Sequence, residues 1–331
     1  MKKSQILSSA CLMVALAAPA FAQDPVTVAF AGAKLTDPFM VALTGMITEQ
    51  AKSQNANLLA PTNANGDAAQ QFNDIQTLLT KSPGAMIIAP VDGEAIVPAI
   101  KAANEAGVPV IVVDAAPTGG DIAMVIRADN YGMGVSACNE MGKRLGGKGT
   151  VLDLQGALTS TNARDRTNGF GECMAQKFPD IEVLQRPTDW DMAKATDALQ
   201  IVVSTGELDG VYIASDYFLP GVAKVLQDAN RWVPVGTEGH VTLIGIDGNP
   251  DALKAIRDGF QDATVSQPVD LYAQYSIHYS LTSAAKTDVA EGETDHGSII
   301  SRNEFGSLSD ALPAPLVTKD NVDDPNLWGN H

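Results

Sequence analysis

From Val26 onward, short apolar or β-branched runs alternate with longer stretches whose apolar positions fall three and four residues apart. The runs predict strands at 26–30, 57–60, 85–89, 109–114, 124–127, 150–155, 182–185, 210–214, 242–247 and 263–266. Most of the stretches between them, such as 38–54, 68–79 and 95–106, have helical spacing. Strand and helix alternating in this way build right-handed βαβ units around a mainly parallel sheet. Runs such as Ala85-Met86-Ile87-Ile88-Ala89 and Val110-Ile111-Val112-Val113 are apolar at every position, so helices should cover both faces. Asp37-Pro38 and Asn249-Pro250 each place a capping side chain before a proline at the first helical position. Gly107 and Gly259 stand where helices should stop. No short repeat is visible. Residues 313–331, with few periodic apolar positions, read as an irregular C-terminal tail on the surface.

The first residues follow a different pattern. Lys2 and Lys3 precede an apolar run over 6–18, then Pro19 and the small-residue pattern Ala20-Phe21-Ala22. Residues 1–22 are therefore expected to be a signal peptide cleaved before Gln23. The apolar run is shorter than the ~20 residues of a membrane span. Cys11 lies inside it with little chain in front, which argues against lipid attachment.

Charge then narrows the partners. The 331 residues carry 39 acidic and 22 basic side chains, net −17; without residues 1–22, which hold two lysines and no acid, the balance is −19. Such a surface repels nucleic acid and anionic membrane. The remaining length exceeds what one core usually organises, so two domains are expected. Cys138 and Cys173 permit one disulfide in an oxidising compartment, the alternative being two buried thiols. The four histidines lack metal-ligand spacing, and no phosphate-binding loop or Gly-x-Ser-x-Gly elbow is present. No metal and no cofactor are expected.

Open parallel sheets bind ligands beyond the carboxyl ends of their strands. The polar and aromatic residues falling there are Asp37, Phe39, Asp114, Ser215, Asp247 and Gln267, with Arg164 and Arg166 on the segment after 150–155. Each has a structural alternative: a strand-end Asp is often only a cap, and Phe39 or Trp190 alone would more often be core. One of the two arginines is expected to be structural. Taken together, carboxylates, a guanidinium, a side-chain amide and flat rings suit a molecule rich in hydroxyls. Carboxylates accept hydroxyl protons, Arg and Gln donate, and the C–H face of a sugar packs on an aromatic ring.

At these residues the sequence resembles the ribose-binding family of periplasmic proteins, the type I sugar-binding proteins. The resemblance lies in an ordered series: Leu35-Thr36-Asp37-Pro38-Phe39-Met40, Pro109 to Asp114, Ala128-Asp129-Asn130, Leu154-Gln155-Gly156, Ala163 to Phe170, Asp189-Trp190-Asp191, Ala214-Ser215-Asp216, Gly245-Ile246-Asp247-Gly248 and Thr264 to Pro268. It implies an α/β fold of two Rossmann-like lobes, each a mainly parallel sheet between helices, joined by three hinge crossings near Ala128, Gln267 and Ile299. Lobe 1 would be residues 24–128 plus 268–297 and lobe 2 residues 129–267 plus 298–312. Asp37, Phe39, Met40 and Asp114 would form one cleft wall, Arg166, Trp190, Ser215 and Asp247 the other, with Gln267 at the hinge and Arg164 structural. The implied protein is a periplasmic, monomeric substrate-binding component that delivers a small polyhydroxylated ligand to an inner-membrane ABC permease with its cytoplasmic ATPase.

Departures from the family pattern bear on the ligand. Asp37 stands where the family often has Asn, Ala115 where ribose binders carry Arg, and Ser215 where they carry Asn. The pocket is thereby more negative by two charges, which argues against ribose. Three carboxylates against one guanidinium leave an amino sugar or another small cation as the alternative to a neutral sugar or sugar alcohol. A secreted carbohydrate-active enzyme is a further alternative, since paired carboxylates hydrolyse glycosides. Against it, Arg166 should hold its neighbours ionised, whereas that chemistry needs one acid protonated.

Overall fold

The computed structural model describes residues 24–206 and 208–331, so the expected signal peptide at 1–22 lies outside the described residues. The first six strands are β1 (Thr27–Gly32), β2 (Asn57–Leu58), β3 (Thr62–Asn63), β4 (Ala85–Ile88), β5 (Val110–Val113) and β6 (Met124–Ala128). All six run parallel in one sheet. Their connections include α1 (Pro38–Ser53), α2 (Ala68–Leu79) and α3 (Val97–Glu105). Residues of β4 and β5 are fully buried, as runs apolar on both faces require. Phe30 and Ile87 face one apolar cluster, while Ala29, Met86 and Ile88 face a second on the opposite side of the sheet.

The chain then crosses into α4 (Asn130–Arg144) and a second sheet. Its strands are β7 (Lys148–Gln155), β8 (Asp180–Pro187), β9 (Gly210–Ile213), β10 (Thr242–Asp247) and β11 (Ala263–Ser266), all parallel. Between them run α5 (Thr161–Lys177), α6 (Met192–Thr205), α7 (Leu219–Asp228) and α8 (Pro250–Asp258). Asp37 and Asn249 cap their helices as the sequence suggested, each accepting a main-chain N–H at 2.8 Å. Gly259 closes α8 at φ 81°, a left-handed position that glycine takes without strain. Cys138 on α4 and Cys173 on α5 form a disulfide. Of the two readings of this pair, the bridge is the one present.

The third crossing differs from the expectation. After α9 (Val269–Ala284), the strands β12 (Gly292–Glu293), β13 (Ile299–Arg302) and β14 (Leu308–Leu312) all join the first sheet, β14 running parallel beside β6. Residues 298–312 therefore belong with the first sheet, not the second lobe, and the chain recrosses beyond Leu312, not around Ile299. The physical reason is pairing: β14 lies against β6 from Val125 to Ala128, which would otherwise be an open edge. The tail is also more ordered than its composition suggested. Within it, β15 (Leu316–Val317) pairs antiparallel with β11, and Val322, Leu327 and Val317 pack on Leu253 and Ile256 of α8.

Candidate ligand-binding cleft

The carboxyl ends of both sheets face each other across a cleft of about 420 Å³. That volume lies within the few hundred to one thousand Å³ of small-molecule sites. All nine residues singled out in the sequence line it: Asp37, Phe39, Met40, Asp114, Arg166, Trp190, Ser215, Asp247 and Gln267. Arg164 instead donates to the Leu158 carbonyl at 2.9 Å on the exposed surface.

Backbone geometry marks the same place. Asp114 (φ 76°), Asp189 (54°), Trp190 (58°) and Asp247 (118°) all sit at positive φ without being glycine. Such positions are uncommon and cluster where the surrounding structure imposes them. Trp190 reaches its place because Gly156 lacks a side chain, since a Cβ there would meet the indole at 2.2 Å.

The second-lobe wall is tightly interconnected. Asp247 accepts from Ser215 Oγ at 2.5 Å, from Gln267 Nε2 at 3.2 Å and from Arg166 Nη1 at 3.5 Å. The Asp247 carbonyl receives Trp328 Nε1 at 2.7 Å and Gln267 N at 2.9 Å. Arg166 is only 3% exposed and also donates to Asn130 Oδ1 (2.7 Å) and the Ala214 carbonyl (2.6 Å). Its Nη2 has no hydrogen-bond partner among the described residues. Gln267 Oε1 accepts from Tyr272, whose hydroxyl also caps the Ala128 N–H, so this network ends at two of the lobe crossings.

On the first-lobe wall, Asp37 accepts from the Phe39 N–H at the start of α1. Asp114 accepts from Asn162 Nδ2 at 2.8 Å, a bond that spans the cleft. Phe39 meets Tyr272 and Trp328 edge-on, with ring centroids 5.9 and 6.4 Å away. At the mouth Lys34 lies 5.9 Å over the ring of Tyr217 from the other lobe.

Burial pushes Asp114 up to about 6 against the pull of Arg166, and Asp247 up to about 6 against Arg166 and Ser215. Asp37 is raised too, by burial, with its main-chain N–H donors and Lys34 opposing. Arg166 pulls Asp114 and Asp247 toward the ionised form, as expected, although desolvation outweighs that pull and leaves both above the ordinary carboxylate range. At pH 7 both Asp114 and Asp247 are still mostly ionised.

Several participants were missed in the sequence, Asn162, Asn130 and Trp328 among them. Asn162 and Asn130 link Arg166 to Asp114 and to Arg127. The spacing of Asn162 and Arg166, four apart on α5, was the available signal for a shared face. Trp328 lies too far along the chain for any local pattern to place it. Asp216 is buried among Gly248 N, Thr264 Oγ1 and Gln261 Nε2, and Ser215 Oγ caps the turn that follows by accepting from the Tyr217 N–H.

Comparison with known proteins fits this geometry. A family model described as a periplasmic binding protein domain matches residues 28–286. The chain is 30% identical over 270 residues to the ribose import binding protein of Salmonella typhimurium, spanning 81% of this chain and 88% of that protein. It is 30% identical over 278 residues to a xylitol-binding protein of Mycolicibacterium smegmatis, spanning 82% and 72%. Among solved structures, an ABC transporter solute binding protein from Mycobacterium smegmatis with bound glycerol shares the fold. The TM-score is 0.78 and the identity 28%, over 90% of this chain and 96% of that one.

Proposed function

The chain belongs to the periplasmic binding protein family, and from that premise we propose that it is the exported substrate-binding component of an ABC importer, capturing a small sugar or sugar alcohol between its lobes. Residues 1–22 would be its export signal. Residues 24–128 with 268–312 would form one lobe, residues 129–267 the other, and the nine cleft residues the binding site. The mature protein would act as a periplasmic monomer that hands its ligand to the permease.

The observation that carries this reading is the pairing of chemistries across one cleft. Three carboxylates at least partly withdrawn from solvent and the Arg166 guanidinium line one cleft together with Phe39 and Trp190. Hydroxyls donate to the first, accept from the second, and leave the C–H faces to the rings. The relatives named for ribose and xylitol, and the one holding glycerol, support the same ligand class.

Thermal shift against pentoses, hexoses, alditols and inositols tests it, because ligand binding stabilises only the folded form. At least one of these should raise Tm, and solution scattering should show the lobes drawing together at saturation. Turnover of oligosaccharides in the same cleft would favour the enzyme instead.

A further inference from the structure

The cleft carboxylates are of two kinds. Asp247 has Arg166 at 3.5 Å, whereas neither Asp37 nor Asp114 forms an ion pair with any described residue. The nearby cations are already engaged. Arg127 is bound to Asp165 at 2.5 Å and to Asn162, Arg166 to Asp247 and two other acceptors, and Lys34 rests exposed over Tyr217. The partners of Asp37 and Asp114 are uncharged: the Phe39 N–H for Asp37 and the Asn162 amide for Asp114. Arg166 pulls on both carboxylates through space, and Lys34 on Asp37, but no cation among the described residues is in contact with either; desolvated charge without a contacting counter-charge is costly, and a cationic ligand entering this site would supply one. A second observation concerns Arg166, which lines the cleft, is almost wholly buried, and makes its hydrogen bonds among the described residues through Nε and Nη1, leaving Nη2 to donate to a ligand acceptor.

We infer that the captured molecule carries a protonated amine as well as hydroxyls, an amino sugar or amino alditol held with its ammonium between Asp37 and Asp114 and its hydroxyls against Arg166 and Asp247. This rests on the polyhydroxylated-ligand reading and sharpens it. A neutral polyol would satisfy Arg166 and leave the first-lobe carboxylates with donors but no counter-charge. An ammonium makes both contacts charge-assisted. Capping α1 does not by itself call for a charge at position 37, since Asn would cap it equally well.

The experiment uses calorimetry and thermal shift on matched pairs: 2-amino-2-deoxyhexoses, 2-amino-2-deoxyribose and 1-amino-1-deoxyalditols, each against its parent sugar or alditol. At least one amine should bind at least about tenfold more tightly than its parent, the factor that ~1.4 kcal/mol represents. Asp37→Asn, which keeps the cap, should shrink that preference, read as the ratio of the two affinities, to within about threefold, less than half of that tenfold step in free energy. A parent that binds as well as its amine, or neutral compounds binding while every amine is silent, overturns the inference and leaves the proposed function standing. Silence of both halves overturns the two together.

Discussion

On the second-lobe wall, Asp247 enters the cleft with its carboxylate already tied to Ser215, Gln267 and Arg166. On the first-lobe wall, Asp37 and Asp114 enter it with only uncharged donors. The same residue type thus serves two purposes. Where the carboxylate is paired within the protein, the wall is a preformed frame whose geometry survives without ligand. Where it is not, the wall holds charge in reserve for whatever binds. A site built this way separates positioning from recognition, and the two walls should respond differently to the same kind of substitution.

The largest difference is expected when each wall loses charge. Arg166→Ala strands Asp247, and removing one partner of a buried pair costs ~3–5 kcal/mol. Asp114→Asn removes a charge that burial penalises and that no cation among the described residues contacts. Asn tolerates the left-handed φ of 76° and retains an oxygen for Asn162, so stability at pH 7 should rise and not fall. Urea unfolding of ligand-free protein at pH 7 measures both. Equal costs would mean that the walls are not built differently.

How much of this was legible in the sequence depends on how local the determining interaction is. The parallel strands and their caps were readable because β-branched runs such as 110–113 and the pairs Asp37-Pro38 and Asn249-Pro250 act within a few residues. The cleft residues were readable for a related reason: the carboxyl end of a strand is known once the strand is. The placement of β14 beside β6 was not, because Leu308–Leu312 contains Ser309 and Asp310 and has no run that announces a sheet interior. Asp310 is nonetheless buried, accepting from Tyr279 and Ser298 and bonded to His296, partners up to 31 residues away. The division of the cleft carboxylates into paired and unpaired was equally hidden. It depends on which of three aspartates a guanidinium on another element reaches.

An intermediate effect sharpens the contrast between the lobes by moving it away from the cleft. Asp153, inside the second sheet on β7, is fully buried, its Oδ1 has no hydrogen-bond partner among the described residues, and burial pushes it up to about 7. Asp216 nearby is likewise pushed up to about 7 by burial, against its donors Thr264, Gly248 and Gln261. A carboxyl raised above its unfolded value binds more protons folded than unfolded. Its stabilising contribution is therefore complete below about pH 4 and is lost as pH rises through about 7. Stability should fall between pH 5 and pH 8. Asp153→Asn should flatten that slope and gain roughly 1–3 kcal/mol at pH 8, the cost of an unsatisfied buried group, with little gain at pH 5. Denaturant midpoints at the two pH values decide it. A gain that is the same at both would show that packing, not ionisation, governs this position.

The smallest expected effect probes whether the second-lobe frame is redundant. Trp328 comes from the C-terminal tail, beyond the residues matched by the family model, and its indole donates to the main-chain carbonyl of Asp247. That carbonyl also receives the Gln267 N–H at 2.9 Å, and the side chain of Asp247 has three further partners. Trp328→Phe keeps an aromatic ring against Phe39 and removes only the indole donor. If the frame is held redundantly, the loss should be about 1 kcal/mol, the net worth of one hydrogen bond. Affinity for whichever compound of the panel binds best should then change by less than about threefold, because Asp247 keeps its position. Trp328→Ala should cost more in stability, since it also opens a cavity between α8 and Phe39. Should Trp328→Phe weaken binding as severely as Arg166→Ala, Asp247 would depend on the tail for its position. The second-lobe wall would then be assembled from the last residues of the chain, and the frame could not be called preformed until those residues had docked.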